Sequence, residues 1–392
     1  MKNIYVYYQN ILIGTLYVDI ARGKEVYSFE YSDDAFIYGL ANALLDKEIF
    51  WQRGRQFKTE SSKPYHFMLD SMPDRWGRNL IKKNNNGKTL MESDYLLQVS
   101  DISRMGALQF KEDLNGPFLN NNSDIPPLKF INELEDAAYN FDEFEDDEKW
   151  KILLSPGSSM GGARPKATLY GANQELYLAK FSHKNDTYDA PLIEYLTYQL
   201  AKKVGLEVEE SKIIKVKDNR NVFITKRFDR KGNQRIPYVS FMTILSAEEG
   251  DSNSYSYLDV CESINEISGN PKDDLEKLYK LVCFNIIVHN YDNHLRNLGM
   301  IYIDGKYQLS PCFDLNISLY PGTFALSVDE TNENTLENLA KNCSFFHLNN
   351  EKAMQIADEM QEKIKRIFVD VTKDIGLDNK IIKSLTKALF NQ

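Results

Sequence analysis

Between Leu275 and Asp314 the residues follow an order that few folds accommodate. Leu275, Leu278, Val282 and Ile286 recur at helical spacing, and the pattern turns wholly apolar towards its end, which predicts a buried helix. That helix delivers a polar stretch, His289-Asn290-Tyr291-Asp292-Asn293-His294-Leu295-Arg296-Asn297. Leu298 to Ile303 then reads as a strand, Asp304-Gly305 as a two-residue hairpin turn, and Tyr307 to Ser310 as the return strand. Pro311-Cys312-Phe313-Asp314 follows. The open ends of an antiparallel pair lie within about 5.5 Å of each other. The pattern therefore places the Asn297 amide beside the Asp314 carboxylate, with Asp292 a few residues away. Two hard oxygen ligands beside another carboxylate suit a Mg²⁺ ion that keeps room for water and phosphate. Taken alone, Asp292 or Asn297 is better explained by a side-chain-capped turn. The three together, at hairpin ends after a buried helix, point to a site.

Protein kinases share this order of buried helix, Asp-(four residues)-Asn loop, hairpin and metal-binding Asp; there the loop Asp is the base, and the Asn and later Asp hold metal. Here no Arg precedes Asp292, and Leu315-Asn316 follows Asp314, so the chain is a divergent kinase or lies outside that class. Upstream, Ser158-Ser159-Met160-Gly161-Gly162-Ala163-Arg164-Pro165-Lys166 joins small residues to two cations. Small residues let backbone N–H groups approach an anion. Read alone, that stretch is a loop before a strand. Ala167 to Tyr170 and Glu175 to Phe181 form a predicted hairpin that ends near Lys180. Pro191 opens a helix with Leu192, Leu196, Leu200 and Val204 on one stripe, closed by Gly205. Glu194 sits in its first turn and is the natural partner for Lys180, as a kinase layout requires. A further hairpin, Lys212 to Val216 and Val222 to Phe228, ends at Lys226 to Asp229, the hinge position that faces adenine in such a layout.

The 392 residues suffice for two or three domains, with 42% hydrophobic and 27% charged residues as in ordinary globular chains. A net charge of -10 argues against a dominant nucleic-acid or membrane role. The four cysteines, Cys261, Cys283, Cys312 and Cys343, lack metal-type spacing, and Cys283 falls in the apolar helix as a reduced core residue. No basic start with a long apolar run opens the chain, and no run approaches a membrane span. A cytoplasmic location is expected. Residues 1 to about 45 read as strands, with Ile4, Val6 and Tyr8 alternating before a Gln9-Asn10 turn. Residues 65 to 82 suggest a helix entered after Pro73, with Trp76, Leu80 and Ile81 on one side, and Gly106 to Phe110 reads as a closing strand. Glu112 to Pro127 reads as a linker, 128 to 141 as a helix, and Asp142 to Glu148 as a solvated acidic run. After about 332 the chain is helical, with Ala353, Ile356, Met360, Ile364 and Phe368 in register. The expected architecture is α+β: a divergent, protein-kinase-like bilobal fold with a β-rich N-terminal domain (1–120), a kinase N-lobe-like part (121–235) and a helical C-terminal lobe (236–392).

With these residues in hand, the chain resembles the HipA family of bacterial toxin kinases along nearly its whole length. Gly162-Ala163-Arg164-Pro165-Lys166 is similar to that family's Gly-Ala-Gln-Glu-Lys loop, and Asp292 to Asn297 to its catalytic loop. Pro311 to Leu315 resembles its Pro-x-Tyr-Asp-Leu metal motif, and Arg227-Phe228-Asp229-Arg230 matches its Arg-Phe-Asp-Arg. Met72-Pro73-Asp74-Arg75-Trp76-Gly77 and Gly106-Ala107-Leu108-Gln109-Phe110 resemble its N-terminal domain. Each motif is modest in specificity; their joint order is specific.

The resemblance implies an ATP- and Mg²⁺-dependent serine/threonine kinase, the toxin of a toxin–antitoxin pair. Its partner would be a small helix-turn-helix antitoxin through which it meets DNA only indirectly. By position, Asp292 would be the base, Asn297 and Asp314 the metal ligands, and Lys180 with Glu194 the phosphate-holding pair. The implied nucleotide-binding set is Ser159, Gly161, Gly162, Ala163, Arg164, Lys166, Lys180, Lys226, Phe228, His294, Asn297 and Asp314. Ser159 aligns with the loop serine that members autophosphorylate, and Ser158 is the alternative; a phosphate there adds about -1.5 to -2 charges and repels ATP. Pro165 and Arg164 stand where the family has Glu and Gln. The implied target class is aminoacyl-tRNA synthetases. Two other readings stand beside this one: a nucleotide-binding pseudokinase scaffold, and a kinase effector outside any toxin pair.

Overall fold

The alternation at the start of the chain folds as a meander. Lys2–Tyr8 pairs antiparallel with Ile11–Ala21, and that strand with Lys24–Tyr31. Gln9 (φ 48°) and Asn10 (φ 70°) are both left-handed, the geometry of the tight turns that match strand twist. Gln56–Phe57 and Leu108–Lys111 complete a five-stranded sheet in the order Gln56–Phe57, Lys24–Tyr31, Ile11–Ala21, Lys2–Tyr8, Leu108–Lys111. Ile4, Val6, Leu16, Val18, Phe29 and Phe110 point into one core with Phe67, Met68 and Leu96. A β-carbon at Gly14 would collide with the Glu30 carbonyl on the next strand, so only glycine fits opposite the irregularity at Val6/Tyr7.

The structure, a computed structural model, describes all residues except Asn42, Thr59, Ser61, 120–124, 144–147, 158–162, Glu249 and 391–392. The chain divides into two compact units, Met1–Thr187 with Lys215–Val239, and Tyr188–Ile214 with Ser240–Gln392. Among the described residues no helix is long and apolar enough to cross a membrane.

In the first unit the helix entered after Pro73 is Arg75–Asn84, as expected, and a further short helix, His66–Ser71, precedes it. Pro73 carries no N–H and holds Met72 extended (φ -90°, ψ 159°), which ends the first helix. Asp74 then caps the second by accepting a hydrogen bond from the Gly77 N–H at 2.7 Å. Trp76, Leu80 and Ile81 are buried together as their spacing predicts. Beyond Leu128–Phe130 and the helix Ile131–Tyr139, three antiparallel strands form a ladder: Lys166–Tyr170, Leu176–Lys180 and Asn221–Lys226.

The second unit is mostly helical. The helix Ala190–Val204 is capped by Asp189, whose carboxylate accepts from the Leu192 N–H, and it ends at Gly205 (φ 91°). Pro271–Ile287 buries Leu275, Leu278, Val282, Cys283 and Phe284, and delivers the polar loop. The hairpin Gly299–Ile303 with Lys306–Leu309 turns at Asp304 (φ 50°) and Gly305 (φ 80°), where the sequence puts the turn. The long helix Asn350–Asp374 buries Ala353, Ala357, Met360, Ile364 and Phe368, while Ile356 is half-buried; Asn379–Phe390 follows.

Candidate active site

The loop after Pro271–Ile287 is shaped by buried amides. His289 takes a left-handed turn (φ 55°), and its burial pushes the imidazole below its ordinary pKa, so it is neutral at neutral pH. Asn290 donates from Nδ2 to Asn285 Oδ1 at 2.9 Å. Tyr257, on the helix Tyr257–Ile267, donates its hydroxyl proton to Asn293 Oδ1 at 2.8 Å and accepts from Asn285 Nδ2 at 3.4 Å. All four residues are buried. Tyr291 and Asp292 lie between the two pinned asparagines, Tyr291 half-buried and Asp292 exposed. An exposed carboxylate on a fixed backbone is open to a substrate hydroxyl, as a general base must be.

The following turn orients Asn297. The Asp292 carbonyl accepts from the His294 N–H at 3.0 Å and from Asn297 Nδ2 at 3.1 Å. The His294 carbonyl accepts from the Asn297 N–H at 2.8 Å. With its nitrogen engaged, the amide of the buried Asn297 presents Oδ1 as its remaining acceptor. Asp314 follows the hairpin's other strand. It is half-buried and left-handed (φ 54°), a conformation that Asp tolerates better than most residues and that concentrates at functional sites. Its N–H donates to the Tyr198 hydroxyl at 3.1 Å, and Asn316 Nδ2 donates to Asp314 Oδ1 at 3.4 Å. Tyr198 lies on Ala190–Val204, one turn after the buried Glu194, and the Ile317 N–H donates to Thr197 Oγ1 on the same helix at 3.1 Å. One helix therefore carries Glu194 and clamps the segment from Asp314 to Ile317. Amide and carboxylate oxygens, with the amide nitrogen already engaged, fit Mg²⁺ as hard ligands.

The remaining predicted residues lie in the first unit. Lys180 is buried at the end of its strand, directly opposite Lys166 in the ladder. Lys166 Nζ is 2.8 Å from Asp74 Oδ2, with both side chains 2% exposed, so this cation binds the capping carboxylate of Arg75–Asn84. Arg164 reaches both carboxylate oxygens of Asp186, at 2.8 and 2.6 Å, and Ala163 is exposed. Lys226 pairs with Glu175, which just precedes the strand Leu176–Lys180, and holds that half-buried carboxyl below its ordinary pKa. The Phe228 ring packs 5.6 Å from that of Tyr238. Ser158, Ser159, Gly161 and Gly162 lie outside the described residues.

The Arg227-Phe228-Asp229-Arg230 motif is structural. Arg227 grips Asp229 through Nε (2.8 Å) and Nη2 (2.6 Å), and Arg230 Nη1 reaches the same carboxylate at 2.6 Å. The Gly106 N–H donates to Asp229 Oδ2 at 2.8 Å, and Arg230 and Arg235 donate to the Gly106 and Arg104 carbonyls. Two motifs 120-odd residues apart in sequence thus bind each other through one buried carboxylate, which the neighbouring guanidinium groups hold well below the usual range. One further set of metal-ligand types occurs among the described residues, Asp46, Glu48 and His66. There Lys58 already ion-pairs with Glu48, and Asp46 accepts from the Glu48 and Phe67 N–H groups.

The sequence reading missed Tyr257, Asn285, Asn290, Asn293, Thr197 and Tyr198 as supports of the site. An amide inside an apolar helix, as at Asn285, was the available signal.

A strand-ladder unit and a helical unit with an Asp-loop, Asn and later Asp define a protein-kinase-like α+β fold. The model of the HipA-like C-terminal domain matches residues 158–368, more than half of the chain, and the chain belongs to that family. Among solved structures, the chain is similar over 98% of its length to 94% of a chain in the Shewanella oneidensis MR-1 complex of the toxin–antitoxin system HipA, HipB and its operator DNA, at 16% identity and a TM-score of 0.67. Serine/threonine-protein kinase CtkA of Helicobacter pylori (strain J99) is 25% identical over 177 residues, 43% of this chain and 54% of the relative. Toxin YjjJ of Escherichia coli (strain K12) is 28% identical over 175 residues, 42% of this chain and 39% of the relative. The chain thus spans about half or less of these curated relatives.

Proposed function

We propose that this chain is an ATP- and Mg²⁺-dependent serine/threonine protein kinase and the toxin of a toxin–antitoxin pair. The observation that carries the reading is the Asp292–Asn297 turn, in which one hydrogen bond fixes the base-bearing backbone and the ligating amide together. Asp292 takes the proton of a serine or threonine hydroxyl; the oxygen attacks the γ-phosphorus, the bond to the β-phosphate oxygen breaks, and ADP leaves. Asn297 and Asp314 hold Mg²⁺, which supplies neutralisation of phosphate charge. Lys180 serves the nucleotide phosphates, and Glu194 is the carboxylate of the clamping helix.

Further parts of the proposal rest on the family. Ser159, or Ser158, is the autophosphorylation site, and phosphate there shuts out ATP by charge. A helix-turn-helix antitoxin is the partner, an idea supported by the Shewanella HipA structure, which was solved with HipB and operator DNA. An aminoacyl-tRNA synthetase is the proposed substrate class, and the cytoplasm the proposed location. The test is incubation of the purified full chain with γ-labelled ATP. Label is expected on Ser158 or Ser159 and is expected to vanish in Asp314→Ala. Undiminished labelling in that variant contradicts the reading.

A further inference from the structure

Beside the catalytic loop, wholly within the second unit, lies a half-open groove of about 580 Å³. Ile286, Phe324, Ala357 and Leu389 contribute apolar surface to its lining, as does the exposed Met354. Glu337, Asp358 and Glu362 line it with exposed carboxylates, against Lys365 as the one Lys or Arg among the described residues that line it. The last turn of Pro271–Ile287, which has no basic residue, also faces it through Ile286 and Ile287. The groove therefore combines apolar surface with negative charge, which complements a cationic side chain next to a large apolar one.

The groove's wall is the catalytic loop itself. His289 and Tyr291 line it, their rings stacked at 5.6 Å, and Tyr291 meets Phe324 edge-on at 4.8 Å. The Tyr291 carbonyl accepts from the Ala325 N–H at 2.8 Å, and Asp292 is the next residue.

We infer that this groove seats an extended segment of the protein substrate carrying a lysine or arginine beside a large apolar residue, within a few positions of the serine or threonine offered to Asp292. The inference rests on the kinase reading above. Two fluorescein-labelled serine peptides test it on the full chain, one with Lys-Phe three residues to either side of the serine, the other with Glu-Phe there. Anisotropy is expected to show roughly tenfold tighter binding of the Lys-Phe peptide, as charge complementarity supplies selectivity. In Asp358→Lys/Glu362→Lys the preference is expected to disappear or reverse, with an unchanged thermal midpoint and unchanged affinity for an ATP analogue. Equal binding of both peptides to the wild type, or a preserved preference in the double variant, overturns the inference. Binding is read without phosphate transfer, so absent transfer with intact preference overturns the kinase reading alone.

Discussion

Asp292 stands in water because its neighbours do not. Asn290 and Asn293 are held in the interior by Asn285 and Tyr257, and the two residues between them are left outside. Replacing the base in Asp292→Asn is expected to lower turnover by roughly 10²–10⁴, the usual worth of a positioned base; wild-type turnover would refute the assignment. Tyr257→Phe removes the hydroxyl that serves both Asn285 and Asn293. Leaving such buried amides unsatisfied costs about 1–3 kcal/mol, to be read by urea unfolding, and the loosened loop is expected to lower kcat more than it raises KM. At this scale Asp292, Asn297 and Asp314 stand out in the sequence as candidates because their chemistry and spacing are local. It did not show their supports, because Tyr257 lies 28 and 36 residues from its partners Asn285 and Asn293. Nor did it show that Lys166 meets Asp74, a partner 92 residues away in sequence.

At the scale of elements, punctuation was legible where one residue dictates the backbone. The Asp304-Gly305 turn, the Gln9-Asn10 turn and the Gly205 helix end fall where turn chemistry puts them. The start of Arg75–Asn84 was legible because Pro73 cannot sit inside a helix, whereas the six-residue helix His66–Ser71 before it is too short to show an apolar period. The Arg227-to-Arg230 segment shows the converse: a hinge assigned by position turns out to carry a buried ionic cluster that grips the segment around Gly106. Breaking such a cluster from one side leaves uncompensated buried charge, so Asp229→Ala is expected to cost about 3–5 kcal/mol, read as a lowered midpoint in urea. The same carboxyl gives a pH signature. Burial opposes its charge, but Arg227, Arg230 and the Gly106 N–H outweigh that and depress its folded pKa below the unfolded value. Its contribution is thus fully present above the unfolded pKa of about 3.9 and is lost as pH falls below it towards the folded value. Thermal midpoints from pH 5 to pH 2.5 are expected to fall less steeply in Asp229→Asn than in the wild type; parallel curves would show that the cluster contributes nothing to acid sensitivity.

For the whole molecule, the kinase-like half is recognisable by family and by relatives, whereas the full-length likeness emerges from backbone geometry at 16% identity. The α+β, kinase-like class was legible because six short motifs keep their order along the chain, a constraint stronger than any one of them. The first unit takes in the β-rich sheet and the strand ladder together; the clamping helix Ala190–Val204 belongs with the helical unit that bears the loop and hairpin. That grouping goes with long-range hydrogen bonds, from the Asp314 N–H to the Tyr198 hydroxyl and from the Ile317 N–H to Thr197 Oγ1, which no local pattern announces. The account stands on Asn297 and Asp314 holding a magnesium-bound nucleotide. Calorimetric titration of the full chain with a non-hydrolysable ATP analogue tests this most directly: binding that requires Mg²⁺ and weakens at least about tenfold in Asp314→Ala, a loss of about 1.4 kcal/mol, is the predicted result. Binding of equal strength without Mg²⁺ and in the variant, or no binding to the wild-type chain at all, would contradict it.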